Sequence, residues 1–288
     1  MGIKKVLIIG SKGMLGGELV RLFNADKNYE VIGWDKEEIN ITDREEVREK
    51  ILALSPQIII NATGYNAVDQ AEAPAEFEQA KLLNGYAVGW LAEIAKEIRA
   101  IFINYSSDYV FNGERREGYK ENDRVSPISN YGISKALGEE EVQRAGGRYY
   151  IIRLQKLFGK AGDSPAAKKS FFETMLELAK SRKEFDMVDD ELANFTYAPD
   201  LATQTKLLIE KKYPAGIYHI TNEGQPVTWH GAAKIMFDLA GIKDIKLNKV
   251  DADKFPRLAK RPKYSVLLNT KLPALRPWDE ALREFLNF

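Results

Sequence analysis

At 288 residues with 44% hydrophobic side chains, the chain is long enough for one large domain or two modest ones and can bury a sizeable core. Its 42 basic and 42 acidic side chains cancel, so nothing in the overall charge points to nucleic acid, a membrane surface or a strongly acidic partner, and any ligand must be recognised by a local site. The absence of cysteine excludes disulfides, thiolate metal sites and cysteine nucleophiles, and fits a reducing compartment.

"MGIKKVLIIG" has an apolar run of only a few residues and enters a glycine turn with no small-residue cleavage site, so it reads as a first strand and the protein as cytoplasmic. No stretch approaches the roughly 18 apolar residues of a membrane span. After the turn, "GMLGGELVRLF" carries Leu15, Leu19 and Phe23 at helical spacing. "YEVIGWD" predicts a second strand, "DREEVREKILAL" a helix with an acidic first turn, and "PQIIINAT" a third strand. "AEFEQAKLLNGYAVGWLAEIAKEI" predicts one long helix, "AIFINYSS" a fourth strand, "NYGISKALGEEEVQRAG" a helix ending at glycine, and "RYYIIRL" a fifth strand. This alternation implies an α/β fold with a parallel, doubly wound sheet and right-handed crossovers. Beyond Arg153 the rhythm loosens through the polar stretch "GKAGDSPAAKKS", read as a mobile loop. It continues with the helix "FFETMLELAKS", the strand "GIYHIT", the Thr-capped helix "TWHGAAKIMFDLAG" and a Pro-rich tail closing on a short helix.

Gly10, Gly13 and Gly16 fall at G-x-x-G-x-x-G spacing after a strand and at the opening of a helix, the context in which glycines let backbone N–H groups approach a pyrophosphate. At the end of the second strand an acidic side chain commonly accepts from ribose hydroxyls and a basic one favours a 2′-phosphate. Asp35 therefore argues for NAD and Lys36 for NADP, and either could be a solvated surface charge.

Tyr131 and Lys135 lie four residues apart on one helix face, where a lysine ammonium would stabilise a phenolate and lower the phenol pKa from its usual value near 10. "NYSSDYVFNG" places hydroxyls at the C-terminal end of a strand, where open α/β sheets bind ligands. Ser107, Tyr131 and Lys135 make a set suited to carbonyl reduction. Ser107 would hydrogen-bond the carbonyl oxygen, Tyr131 would deliver its proton, and Lys135 would tune the phenol and hold the cofactor ribose.

With "INITD", "IIINATGYNAVDQAE", "SSDYVFNG", "SPISNYGISKALGE", "GIYHIT" and "AKRPKYSVLLNTKL", the chain resembles the dTDP-4-dehydrorhamnose reductase family of the extended short-chain dehydrogenase/reductase superfamily over nearly its whole length. The resemblance implies reduction of the 4-keto group of a nucleotide-linked 6-deoxy sugar by NADPH or NADH, the last step to dTDP-L-rhamnose. It implies a Rossmann-type domain over residues 1–155, with 186–225 contributing strands, and a smaller substrate-binding domain made mainly of 156–288. Ser107, Tyr131 and Lys135 fall on the catalytic positions. Cofactor contacts map to the turn from Gly10 through Lys12, Gly13, Met14 and Leu15 to Gly16, and to Asp43, Asn61, Ala62, Thr63, Tyr65 and Asn84, beside Asp35 and Lys36 from the end of the second strand. Substrate contacts map to Val68, Ser107, Asp108, Lys156, Asn194, Arg261, Lys263 and Tyr264, the last three because their motif approaches the nucleotide part and its Arg and Lys supply the cations a diphosphate requires.

The sequence departs from the family where Lys156 stands in place of a tryptophan that shapes the sugar pocket, where Ala193, Asn194 and Phe195 replace Gly-Ser-Pro, and where Asn40 replaces an aspartate. Two explanations fit: a reductase of another nucleotide-linked keto sugar, or a cofactor-binding regulatory subunit similar to the β subunit of methionine adenosyltransferase. His219 and His230 are too few and too badly spaced for a metal site, and no metal ligands are assigned. Asp189 and Asp190 in "VDD" read as a loop feature rather than a divalent-ion site, so Mg2+ is without sequence support. A homodimer is compatible with the pattern.

Overall fold

The strand sequences are apolar on both faces because helices cover both sides of one sheet. A computed structural model describes residues 2–164 and 167–287. Strands β1 (Lys4–Ile9), β2 (Tyr29–Trp34), β3 (Ile58–Asn61), β4 (Ile101–Ser107), β5 (Arg148–Leu154) and β9 (Gly216–His219) form a six-stranded sheet in the order β2-β1-β3-β4-β5-β9. Every pairing in it is parallel. Alternate side chains serve opposite layers. Leu7, Ile9, Ile59, Phe102 and Ile151 pack under α2 (Arg44–Leu54), α4 (Ala87–Glu97) and α5 (Asn130–Ala145). Val6, Ile8, Ile60, Ile103 and Ile152 pack under α1 (Met14–Asn24) and α7 (Ala198–Glu210). The strand order reverses between β1 and β3, which makes the C-terminal ends of those two strands the expected ligand crevice.

The predicted long helix is interrupted. Between α3 (Pro74–Lys81) and α4 the chain makes one wide π turn over Leu82–Tyr86, a distortion that often accompanies functional positions. Of the 186–225 stretch only β9 enters the large sheet. β7 (Glu184–Val188) pairs in parallel with β10 (Lys246–Val250), and β6 (Leu157–Phe158) with β8 (Thr196–Tyr197). These short pairs, with α6 (Phe171–Leu178), α8 (Trp229–Leu239) and α9 (Trp278–Leu286), enclose an aromatic-rich core of Phe158, Phe172, Phe195, Tyr197, Phe237 and Trp278. Among the described residues no helix is long and apolar enough to cross a membrane.

Candidate active site

The glycine turn is fixed from two sides. Gly10 has φ +81°, and the N–H groups of Gly10 and Ser11 donate to Trp34 O at 2.8 and 3.1 Å. A Cβ on Gly16 would lie 1.9 Å from Gly10 O, so only glycine lets α1 start this close to the turn. Met14, Leu15 and Gly16 occupy the first turn of α1, where backbone N–H groups have no intrahelical acceptor. Leu15 itself turns into the core, which leaves it only a backbone contribution to the turn. Part of the predicted loop is packed here: Ser164 N donates to Lys12 O at 3.0 Å, and a cavity of about 270 Å³ lies among Lys12, Gly13, Met14, Arg21 and Gly162. Pro165 and Ala166 of that loop lie outside the described residues.

Asp35 closes the end of β2 by accepting from the backbone N–H groups of Lys12 at 3.1 Å and Lys36 at 2.9 Å. Its carboxylate therefore braces the turn, while the exposed Lys36 and the Lys12–Glu37 ion pair, at 2.9 Å, place cations at the same rim. Asp43 caps α2, its Oδ1 accepting from Glu45 and Glu46 N–H at 3.1 Å each. That is a helix-capping role the family motif did not suggest. At the end of β3, Asn61 donates to Asn104 Oδ1 at 2.9 Å and accepts from Thr63 Oγ1 at 2.6 Å, and Ala62 N donates to Ile9 O at 2.8 Å. Asn84, in the π turn, clamps the Tyr65 backbone from both sides (2.9 and 3.0 Å) and donates to Ser134 Oγ at 2.9 Å. The Tyr65 hydroxyl donates to Glu76 at 2.7 Å, and burial pushes its phenol up to about 12.

Ser107 ends β4, and Ser129 caps α5 by accepting from Gly132 N–H at 3.2 Å. A Cβ on Gly132 would lie 2.3 Å from Tyr109 O, so glycine here lets α5 approach the segment after β4 and brings Tyr131 to Ser107. The Ser107 hydroxyl accepts from Tyr109 N–H at 3.2 Å and donates to Asp108 Oδ1 at 2.9 Å. Tyr131 is buried with its ring edge-on to Tyr109 at 5.4 Å and beside Val68. Burial holds its phenol above the ordinary value, and hydrogen bonding with Ser107 acts the other way. Lys135 Nζ donates to Tyr105 O at 3.3 Å and lies 6.0 Å from the Tyr131 ring centroid. Burial lowers this lysine to about 8. The expectation that Lys135 depresses the phenol is thus corrected: burial, not the lysine, sets the direction, and it keeps Tyr131 in the protonated form a proton donor needs.

On the other side of Ser107, burial pushes the Asp108 carboxyl up to about 6, with Ser265, Ser107 and Lys156 opposing. Lys156 has left-handed backbone (φ +38°) and places its ammonium 3.8 Å from the Trp229 ring centroid. Neither Lys156 Nζ nor Asn194 Oδ1, both buried, has a hydrogen-bond partner. Arg261 pairs with Asp69 at 2.7 Å, next to Val68 on the same wall. Lys263 reaches Asp190 at 3.3 Å with half its side chain in solvent, and Tyr264 stacks under Arg116 at 5.0 Å. Of the three C-terminal candidates, Arg261 is thus the one engaged with the loop that carries Val68.

Sequence reasoning missed Trp229, which faces Lys156, and the Arg257–Glu191 ion pair that holds the indole through Trp229 Nε1 donating to Glu191 at 3.1 Å. The family tryptophan replaced by Lys156 was the available signal that an aromatic had to come from elsewhere. His219 is buried between Arg153 and Leu268 O, and burial lowers it to about 4. Asp189 pairs with Lys249 at 2.9 Å and accepts from Thr228 Oγ1 at 2.6 Å, a loop role as expected. Among the described residues no group of three or more His, Asp or Glu is arranged to hold a metal ion.

A glycine cradle at the β1/β3 switch point, with a hydroxyl, a buried phenol and a buried ammonium at the ends of β4 and α5, defines an oxidoreductase of the extended short-chain type. Residues 4–288 match the family model described as the RmlD substrate binding domain. The chain belongs to the dTDP-4-dehydrorhamnose reductase family. It is 36% identical to a spore coat polysaccharide biosynthesis protein of Bacillus subtilis, over 98% of this chain and 96% of that one. It is 35% identical to a dTDP-4-dehydrorhamnose reductase of Aggregatibacter actinomycetemcomitans, covering 97% of each. The structure superposes on the crystal structure of a dTDP-4-dehydrorhamnose reductase from Bacillus anthracis in complex with NADP, with a TM-score of 0.92, 32% identity and 99% of each chain covered.

Proposed function

We propose that this protein is an NADPH- or NADH-dependent reductase of the 4-keto group of a nucleotide-linked 6-deoxy sugar, the reaction that completes dTDP-L-rhamnose synthesis. The observation that carries the reading is the convergence of Ser107, Tyr131 and Lys135 beside the glycine cradle. The chain fits the cofactor. The Gly10–Gly16 approach leaves no room for a Cβ, and the first turn of α1 offers N–H groups of the kind that hold a diphosphate. Lys135 Nζ donates to Tyr105 O at 3.3 Å, and a Cβ on Gly64 would sit 3.0 Å from it, so the ammonium lies beside the segment after β3, where the ribose would lie. Bound NAD(P)H would supply the hydride to the 4-carbonyl carbon.

The residues of the chain do the rest. Tyr131, kept protonated by burial, gives its proton to the carbonyl oxygen. Ser107 orients that oxygen once its hydroxyl turns from Asp108 Oδ1, to which it donates at 2.9 Å. Residues 1–155 with β9 form the cofactor half and 156–288 mainly the sugar half, with the cleft between them as the active site. Exposed Tyr86, Ile128 and Ile133 on the α4–α5 side support a homodimer, which light scattering on the purified protein would test. A cytoplasmic location fits the cysteine-free composition and would be tested by fractionating cells of the source. The decisive experiment follows NAD(P)H absorbance with dTDP-4-keto-6-deoxy sugars. Cofactor binding without oxidation across a panel of nucleotide-linked keto sugars would favour a regulatory subunit instead.

A further inference from the structure

Lys156 stands where the family places a tryptophan, and its position is enforced. Its left-handed backbone is held by Thr196 N–H donating to Lys156 O at 3.3 Å, and its neighbour Gln155 is clamped by Ser265 O and Leu267 N–H at 3.1 Å each. The ammonium lies on the Trp229 face and 5.3 Å from the Phe195 ring centroid. Asp108 and Glu191 both favour its charged form, so the pocket supplies counter-charge to Lys156 without supplying a hydrogen-bond acceptor. Asn194, immediately before Phe195, presents the complementary defect, a buried amide oxygen with no donor. Buried polar groups are ordinarily paired, and two orphans of opposite hydrogen-bonding sense on adjoining segments mark a place that a ligand completes.

We infer that Lys156 and Asn194 form a polar subsite for a hydroxyl of the bound sugar, so that this chain selects a nucleotide-linked keto sugar by that hydroxyl where its relatives use an aromatic platform. The inference rests on the reductase reading. A hydroxyl matches both orphans in hydrogen-bonding sense, since its oxygen can accept from the Lys156 ammonium and its proton can go to Asn194 Oδ1. A methyl or hydrogen would satisfy neither. A carboxylate would satisfy the lysine alone, and it would face Asp108, Glu191 and the amide oxygen of Asn194 unfavourably.

The test is calorimetric binding of dTDP-6-deoxyhexoses that differ by one hydroxyl at C2 or C3 to the whole chain with NADP present. Removing one of these hydroxyls should weaken binding to the wild type at least about tenfold, or about 1.4 kcal/mol. The same removal should cost less than about twofold in Lys156→Met, with NADP affinity unchanged. Asn194→Leu should lose the same selectivity, and it decides the matter if Lys156→Met does not fold. Equal binding of all sugars by the wild type, or selectivity retained in folded variants, overturns the subsite. Selective binding with no NAD(P)H oxidation for any keto sugar removes the reductase reading and leaves the subsite standing, whereas turnover without selectivity does the reverse.

Discussion

Tyr131→Phe separates the chemistry of the phenol from its packing. The ring is 8% exposed and packs against Tyr109, Val68, Ala71 and Ala80, all of which a phenylalanine would still touch. Deleting the hydroxyl removes one hydrogen bond with Ser107, worth about 0.5–1.5 kcal/mol of stability. A positioned proton donor contributes about 10²–10⁴-fold to the rate, which at about 1.4 kcal/mol per decade is roughly 3–5.5 kcal/mol of barrier. The loss in kcat should therefore exceed the loss in folding stability several-fold, while the affinity for NADPH stays within about threefold. Stopped-flow NADPH oxidation, NADPH fluorescence titration and urea unfolding of the same preparation give the three numbers. Because burial holds the phenol above its usual value near 10, the wild-type rate should show no loss of this acid up to about pH 9. A kcat for Tyr131→Phe within about tenfold of wild type would refute the assignment of the proton donor.

Lys135→Ala should raise the dissociation constant for NADPH, because the ammonium is placed for the ribose site; an unchanged NADPH titration would exclude it from the cofactor site. Gly16→Ala drives a methyl to within 1.9 Å of Gly10 O and should destabilise the fold by about 1–3 kcal/mol while weakening NADPH binding, read by thermal unfolding and titration. Arg153 and Glu139 form a buried two-pronged ion pair at 2.8 and 2.6 Å, so Glu139→Gln leaves an uncompensated guanidinium and should cost about 3–5 kcal/mol in urea unfolding. Lys156 is lowered to about 8 in the fold against 10.5 for the ordinary side chain, so between those pH values the unfolded chain holds more protons and stability rises with pH. Lys156→Met should flatten that rise, which is on the order of 3 kcal/mol at most; an identical pH–stability curve in the variant would show that the ammonium is not desolvated.

The reaction chemistry was legible because it is local. Tyr131 and Lys135 share a helix face through the helical repeat, Ser107 marks a strand end, and the glycine pattern sits in its strand–turn–helix context, so short-range rules sufficed. The alternating strands and helices likewise gave the six-stranded sheet up to β5. What failed to show depends on which way side chains turn after folding. That Asp35 braces the glycine turn and Asp43 caps a helix was not legible in the positions alone. The π turn arose inside an unbroken helical pattern, because α5 presses against Asn84 and Gly85 from a segment distant in sequence. Likewise β7 finds β10 rather than the large sheet, a pairing that no local alternation encodes.

The same distinction explains why the substrate pocket, not the reaction, carries this chain's individuality. Hydride and proton transfer require a small set of groups whose relative positions one helix, one strand end and one turn can fix. The proposed sugar pocket has walls drawn from β5–β6, the segment before β8, α8 and the loop bearing Arg257 and Arg261, which meet only through tertiary packing. Exchanging an aromatic for Lys156 at one wall is tolerable because Trp229 arrives from α8 to face the ammonium, with Glu191 and Arg257 holding the indole in place. An ammonium that merely replaced lost bulk would be expected to reach solvent or pair with Asp108. Its burial without an acceptor, beside an amide oxygen without a donor, is the arrangement of a recognition site that a sugar hydroxyl completes.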